Sequence, residues 1–405
     1  MRANPRVALF TDSFLEVNGV AQTSRQLAAQ AAKSDSPYLV VHAGPQTGKV
    51  AEGSLQRLSL YRTKFGFPLD VDLRFDLLFW RHAELAIQTV RQFKPDLIHL
   101  TGPSDVGLLG ALIAKRLAIP VVISWHTNVH EYARTRTANF LAGLGVGPFP
   151  ALGEKIESLS LDLTCLFYRI GRVLLAPNPE LCEMLKLKCQ RPVYLMERGV
   201  DTILFSPEKR DRQEEILNIG YVGRLSPEKN VRLLARIEND LLNSGCKSIR
   251  FTVIGSGSEL EWLRNSMRTA VFTGVLRGEA LAKAYADLDL FIFPSTTDTY
   301  GNVVLEAQAS GVPVIVSGGG GPKYLIKKGL TGFVADCDED FSGIVSRLYH
   351  DPNERRRMAT EARRHALNLS WERIFEELYQ VYREATEVHS GDDGERDGER
   401  GLRDE

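Results

Sequence analysis

The chain has 405 residues, 43 % of them hydrophobic and 25 % charged, with a formal net charge of −1. That length exceeds what one core supports and suits two domains of about 150 to 200 residues each. Near-neutrality excludes nucleic acid as the main partner, because neutralising phosphates takes a surplus of Lys and Arg.

Short apolar runs alternate with helix-period stretches along the whole chain. RVALF, YLVVHA, DLIHL and PVVISWH predict strands in the first half, and ILNIGYVG, RFTVIGSG, LDLFIFPS and VPVIVS predict strands in the second. Residues 20–33, 82–94, 106–117, 229–244 and 278–287 between them are amphipathic. This βαβ alternation predicts the α/β class, with two Rossmann-like domains facing across a cleft. The connection falls near 191–212, where Pro192, Pro207, a Gly199-Val200 turn and the run EKRDRQEE mark exposed chain. The domains are set at 1–195 and 196–370. A helix follows at 371–387, with Trp371, Ile374, Phe375, Leu378, Tyr379 and Tyr382 on one face. Residues 388–405 hold almost nothing apolar and are expected to form a disordered tail. Five cysteines, at 165, 182, 189, 246 and 337, include no C-x-x-C pair and read as reduced core thiols of a cytosolic protein. No apolar run reaches the length of a membrane span, and the N-terminus enters a strand pattern without the apolar segment of a signal peptide.

Four places carry chemistry. Gly223-Arg224-Leu225-Ser226-Pro227-Glu228-Lys229 joins a strand to a helix, which sets Arg224 and Lys229 at the cleft end of the second sheet. Arg grips phosphate oxygens bidentately and Lys adds a point charge; the alternative is two solvated loop cations. Asn18-Gly19 lies in the first βα loop, where a glycine admits a ligand close to the backbone, or forms only a turn. His126 ends the strand VVISW at a carboxyl edge, placed to hydrogen-bond a substrate or polarise an acceptor hydroxyl. His130 gives it the spacing of a metal-ligand pair, but no third ligand is evident, and no metal is expected. The segment 293–314, FPSTTDTYGNVVLEAQASGVPV, sets Asp298 in a loop and Glu306 about a turn inside the following helix. First-turn amides lack internal partners and suit an anion or polyol. The alternative there is an N-cap aspartate and a solvated helix glutamate.

These segments resemble the retaining, nucleotide-sugar-dependent glycosyltransferases of family 4, which have the GT-B fold. The resemblance rests, in order, on FTDSFLEVNGVAQTS, SWHTNVHEY, LLAPNPEL, ERGVDTILFSPEKR, GYVGRLSPEKN, the two acids Asp298 and Glu306, and GGPKYLIKKGLTGFVA. Two positions depart from the pattern: Asp298 stands where the family usually has Glu, and Tyr324 replaces an acid. The resemblance implies an N-terminal acceptor domain, a C-terminal donor domain and a last helix that crosses back to the N-terminal one. Arg224 and Lys229 would hold the donor diphosphate, and Gly19 would contact it or the acceptor. Backbone groups around Val275 would meet the base, and Glu306 the ribose. Asp298, with the amides of Tyr300, Gly301, Asn302 and Val303, would hold the sugar, with His126 near the reacting centre. The VIGSG turn would lie beside the nucleotide pocket, residues 318–321 would pass near the cleft, and His99 would be structural. With no residue placed to form a covalent intermediate, same-face attack is expected, in which the leaving phosphate oxygen takes the acceptor proton. No cofactor is implied.

TDTYGNVVLEAQASG and SWHTNVHEYA point toward the subgroup that transfers mannosyl or sulfoquinovosyl groups to membrane lipids, from a GDP- or UDP-linked donor. The implied location is cytoplasmic, with a peripheral place on the inner face of the cell membrane open. Residues 57–81 mix Arg57, Arg62, Lys64, Arg74 and Arg81 with six aromatic rings, which suits an anionic membrane surface or, equally, a core helix with its charge cancelled by Asp70, Asp72 and Asp76. A nucleotide-sugar epimerase of the same fold and a non-catalytic sugar-nucleotide binding protein are the alternatives.

Overall fold

Parallel strands need crossovers, and the helical stretches between the apolar runs supply them. The computed structural model describes residues 4–16, 18–63, 67–68, 74–76, 78–126, 150–212 and 215–396. The chain divides into two units, Met1–Glu197 with Ile374–Glu405, and Arg198–Arg373.

The first unit contains β1 (Val7–Thr11), β2 (Tyr38–Gly44), β3 (Gly48–Glu52), β4 (Leu55–Tyr61), a ribbon of β5 (Phe67–Pro68) and β6 (Arg74–Phe75), β7 (Leu97–Leu100), β8 (Val121–Ser124), β9 (Val173–Ala176) and β10 (Val193–Leu195). Its main sheet runs β10-β9-β8-β7-β1-β2-β4-β3, parallel except where β3 meets β4. Two clusters of buried residues cover the sheet's faces. Residues from the helix Asp105–Leu117 pack with Phe10, Ile123 and Trp125; residues from the helix Gly19–Lys33 pack with Leu9, Leu97 and Val122. Successive residues of β8 thus enter opposite clusters, the period-two alternation of a strand buried on both faces. The second face is completed by Phe375, Leu378, Tyr379, Tyr382 and Ala385 from the helix Trp371–Arg396.

The second unit has β11 (Leu217–Val222), β12 (Ile249–Ile254), β13 (Ala270–Gly274), β14 (Leu290–Phe293), β15 (Val314–Ser317) and β16 (Gly332–Ala335), all parallel in the order β13-β12-β11-β14-β15-β16. That is the doubly wound Rossmann order, with the reversal between its first and fourth strands.

Some details differ from the sequence reading. The unit boundaries fall after Glu197 and Arg373. The last helix carries its backbone to Arg396, into the segment assigned to the tail, since a nucleated helix gains one hydrogen bond per added residue; residues 397–405 lie outside the described ones. Cys337 is not a core thiol: four cysteines are buried, but Cys337 is exposed, at the N-cap of the helix Asp338–His350, where polar surroundings satisfy the helix end. In the segment 57–81, Arg57 pairs with Glu52, Arg62 with the buried Asp105, and Arg81 with Asp76, while Phe79 is buried. Lys64, Asp70 and Asp72 of that segment lie outside the described residues.

Candidate active site

Ligands of doubly wound sheets bind outside the carboxyl ends of the strands where the order reverses. In the second unit that point lies between β11 and β14, and the loops 223–229 and 294–301 leave the sheet there. The first loop is fixed from three sides. Gly223 N–H donates to the Ile254 carbonyl at 3.0 Å and Leu225 N–H to that of Ser256 at 2.9 Å, while the buried Tyr221 hydroxyl donates to the Arg224 carbonyl at 2.9 Å. Close approach of the VIGSG turn needs Gly255, which has φ +142°; a Cβ there would stand 1.9 Å from the Gly223 carbonyl oxygen. The second loop ends at Gly301, with φ +98°, just before the helix Asn302–Ala309. The glycine run 318–321 lies against this loop, with Gly321 N–H donating to the Asp298 carbonyl at 2.7 Å.

The two loops join Lys229 to Asp298, Nζ to Oδ2, at 2.8 Å. Arg224 stands 4.0 Å from Glu228 on the same loop, about one-third exposed. The reading of Lys229 as a solvated loop cation is therefore set aside, because its side chain is only 16 % exposed and ion-paired. Glu306 is not the solvated glutamate of the alternative reading either: it is buried, and its Oε2 accepts from the Tyr285 hydroxyl at 3.0 Å. Burial, with the Glu306 charge behind it, holds the Tyr285 hydroxyl protonated far above its ordinary range.

The Tyr300 side chain is engaged with Arg198. The ring is buried, its hydroxyl accepts from Arg198 N–H at 2.9 Å, and the Arg198 guanidinium lies 5.7 Å from the ring centre. Burial brings that guanidinium down to about 10. Gly301, Asn302 and Val303 are half-buried at the helix start. Val275 follows β13, the edge strand two places from β11, and is exposed.

In the first unit the order reverses between β1 and β7. Gly19 is the exposed first residue of its helix, and Asn18 caps it, its side chain accepting from Ala21 N–H at 2.9 Å. So Asn18-Gly19 is a helix start, not an isolated turn. His126 lies just past β8, half-buried, with Nε2 2.6 Å from Ser124 Oγ, which is itself 2.8 Å from Nε2 of His99. His130 lies outside the described residues. Among the described residues no group of three His, Cys, Asp or Glu could hold a metal ion.

Sequence reasoning missed Asp12, which follows β1 at the same reversal. Burial raises its carboxyl to about 6 against the opposing pull of Arg62, with Asp105 and Glu16 adding to the rise. The signal was in the motif FTDSF, whose aspartate ends the first strand. It missed Ser124 as well, although Ser124 sits two positions before His126 and therefore on the same strand face.

Two doubly wound sheets, the second with an ion pair and a helix start over its reversal point, match the GT-B fold. Among solved structures, sucrose-phosphate synthase from Thermosynechococcus elongatus matches at a TM-score of 0.72 and 16 % identity, over 95 % of this chain and 100 % of that one. The description Glycosyltransferase Family 4 matches residues 17–203, and Glycosyl transferases group 1 matches 217–351. A GDP-mannose-dependent alpha-mannosyltransferase of Mycobacterium tuberculosis (strain CDC 1551 / Oshkosh) is 31 % identical over 390 residues, 93 % of this chain and 96 % of the relative. The sulfoquinovosyl transferase SQD2 of Arabidopsis thaliana is 34 % identical over 304 residues, 70 % of this chain and 56 % of the relative. The chain belongs to glycosyltransferase family 4, and it is a retaining glycosyltransferase that moves a hexose from a nucleoside diphosphate sugar to a hydroxyl acceptor. The epimerase and binding-protein alternatives are not favoured.

Proposed function

We propose that the donor is GDP-mannose and the acceptor a hydroxyl of a membrane lipid. The observation that carries the donor is the end-to-end similarity, 31 % over 93 % of this chain, to an enzyme whose name specifies GDP-mannose. In this reading Arg224 and Lys229 hold the diphosphate and stabilise its charge as the sugar leaves. Glu306 takes the ribose, Val275 lies near the base, and Asp298 with the amides of Tyr300, Gly301, Asn302 and Val303 orients the hexose. Gly19 and His126 serve the reacting end from the first unit. The leaving phosphate oxygen takes the acceptor proton on the same face.

The lipid acceptor is supported by the resemblance to lipid-directed transferases and by one surface. Leu159, Leu163 and Leu166 lie at helical spacing on the helix Pro150–Tyr168 and are 62, 61 and 60 % exposed. Such a stripe suits contact with the acyl edge of a bilayer. It is a better place for that contact than residues 57–81, where Arg57, Arg62 and Arg81 are engaged in ion pairs. No helix among the described residues is long and apolar enough to cross a membrane. Peripheral attachment at the inner face of the cell membrane fits this reading.

A thermal-shift series with GDP-mannose, GDP-glucose, UDP-glucose and UDP-sulfoquinovose tests the donor. A ligand at a hundred times its Kd adds about 2.7 kcal/mol to stability. Stabilisation by a UDP sugar alone would replace the guanine reading. Sedimentation with lipid vesicles tests the surface: Leu163→Glu with Leu166→Glu should abolish co-sedimentation while leaving the melting temperature near that of the wild type. Wild-type protein that stays in the supernatant would leave a small polyol or saccharide as the acceptor.

A further inference from the structure

The carboxyl of Asp12 stands at the ligand end of the first sheet. Asp12 directly follows β1, where the strand order reverses between β1 and β7, and it is half-buried. Thr101, the residue after β7, reaches it from the neighbouring strand. Thr101 Oγ1 lies 3.4 Å from Asp12 Oδ1 and also 3.4 Å from the Phe10 carbonyl oxygen. One hydroxyl hydrogen cannot serve both acceptors, and both distances are long for such a bond. Among the described residues no other side chain donates to Asp12.

The duties an aspartate ordinarily performs in such a place are filled by other residues. The helix Gly19–Lys33 is capped by Asn18, and the helix Asp105–Leu117 by Ser104, whose Oγ accepts from Gly107 N–H at 3.0 Å. The guanidinium of Arg62, within electrostatic reach of Asp12, is ion-paired with the buried Asp105. Asp105 also accepts from Asp76 N–H at 3.1 Å and Val106 N–H at 2.8 Å, so it is the carboxylate that organises this corner. Asp12 is a second carboxylate beside one cation, which is why burial prevails over the pull of Arg62 and raises it to about 6. A carboxyl that weakens the fold at neutral pH and caps nothing is the kind of group that ligand sites keep.

Its charge decides what can meet it. An ionised carboxylate only accepts hydrogen bonds, so its partner must bring the hydrogens. A phosphate or sulfonate set against it would face Asp105 and Glu16 as well, with Arg62 already engaged. Hydroxyls meet the requirement without that repulsion.

We propose that Asp12 binds the acceptor, accepting hydrogen bonds from hydroxyls of an uncharged sugar or polyol headgroup and so setting that headgroup at the carboxyl edge of the first sheet. This deepens the proposed reading of the acceptor, and rests on its being a hydroxyl compound. The acceptor proton still goes to the departing phosphate oxygen.

The test uses soluble probes: octyl glucoside and myo-inositol as uncharged hydroxyl headgroups, and inositol 1-phosphate as an anionic one. The donor in each assay is the sugar nucleotide that stabilises the enzyme most in the thermal-shift series, so an error in the guanine reading changes the reagent and not the outcome. Wild-type enzyme should transfer to at least one uncharged probe. Asp12→Asn, which keeps the shape and removes the charge, should lower kcat/KM for that probe roughly tenfold or more, chiefly through KM. Its affinity for the nucleoside diphosphate in titration calorimetry should stay near that of the wild type. Its melting temperature at about pH 7 should be no lower than that of the wild type, which separates loss of the contact from damage to the fold. Equal kcat/KM in the two enzymes would overturn the proposal, and so would a parallel loss of nucleotide affinity. Wild-type enzyme that uses only inositol 1-phosphate, or none of the three probes, would overturn it as well. Failure to sediment with vesicles would instead remove the lipid and leave Asp12 its sugar or polyol.

Discussion

Lys229 and Asp298, 69 positions apart in the chain, are bonded to each other at 2.8 Å over the reversal point of the second sheet. Each serves a different part of the donor in the proposed reading, yet each also holds the other in place. A cation already ordered by a carboxylate loses less rotamer freedom when a diphosphate arrives.

The first prediction is that the pair works as a unit. Lys229→Ala should lower kcat/KM about a hundredfold, through loss of charge-assisted hydrogen bonds of about 1.5 to 3 kcal/mol. Asp298→Asn should cost a similar factor, and the double variant clearly less than the product of the two. A double-mutant cycle that closes within about 0.5 kcal/mol would show that the residues act independently.

Glu306 gives a second prediction, about binding. Its Oε2 is oriented by the Tyr285 hydroxyl, so one carboxylate oxygen is fixed by the protein. Glu306→Gln should weaken GDP binding roughly tenfold or more, and Tyr285→Phe by a few-fold, in titration calorimetry. Unchanged affinity in Glu306→Gln would remove Glu306 from the nucleotide pocket.

Metal independence is the third. Arg224 and Lys229 already supply positive charge to the diphosphate in the proposed mechanism, so Mg²⁺ has no leaving-group role to fill. Turnover in EDTA should stay near its untreated value. Loss of turnover with recovery on adding Mn²⁺ or Mg²⁺ would contradict this.

A fourth prediction concerns pH. The Asp12 carboxyl is raised to about 6 by burial, so the folded state binds its proton more tightly than the unfolded chain does. The stability linked to that proton is complete below about pH 4 and is lost as pH rises through about 6. Asp12→Asn should therefore gain on the wild type over that interval, by up to about 3 kcal/mol at neutral pH, and match it in acid. Melting curves from pH 4 to 8 would refute this if the difference stayed constant.

Much of the second unit was legible in the sequence because a parallel sheet brings the ends of its strands to one edge. GRLSPEK and the loop carrying Asp298 each follow a strand, so both had to lie at that edge. Which side chains meet there depends on strand order, and strand order is not written in any local window. The Lys229–Asp298 bond required β11 and β14 to be neighbours although two strands separate them in sequence. Glu306 read as solvated or ribose-binding, but its tyrosine partner lies on another helix. His99 read as structural because its partner Tyr382 is 283 positions away. Cys337 misled for a simpler reason: an apolar-looking residue can sit at a helix N-cap, where composition says nothing of exposure.

The return of the last helix to the first unit has a consequence for how this protein is made. A chain emerging from the ribosome presents the first 197 residues early, and domains ordinarily fold as they appear. Here one face of the first sheet stays uncovered until Phe375, Leu378, Tyr379 and Tyr382 have been synthesised. The second unit, contained within 198–373, can close first. The unit begun first is thus finished last, and a message truncated after codon 373 would yield a complete second unit joined to a sheet with an open apolar face.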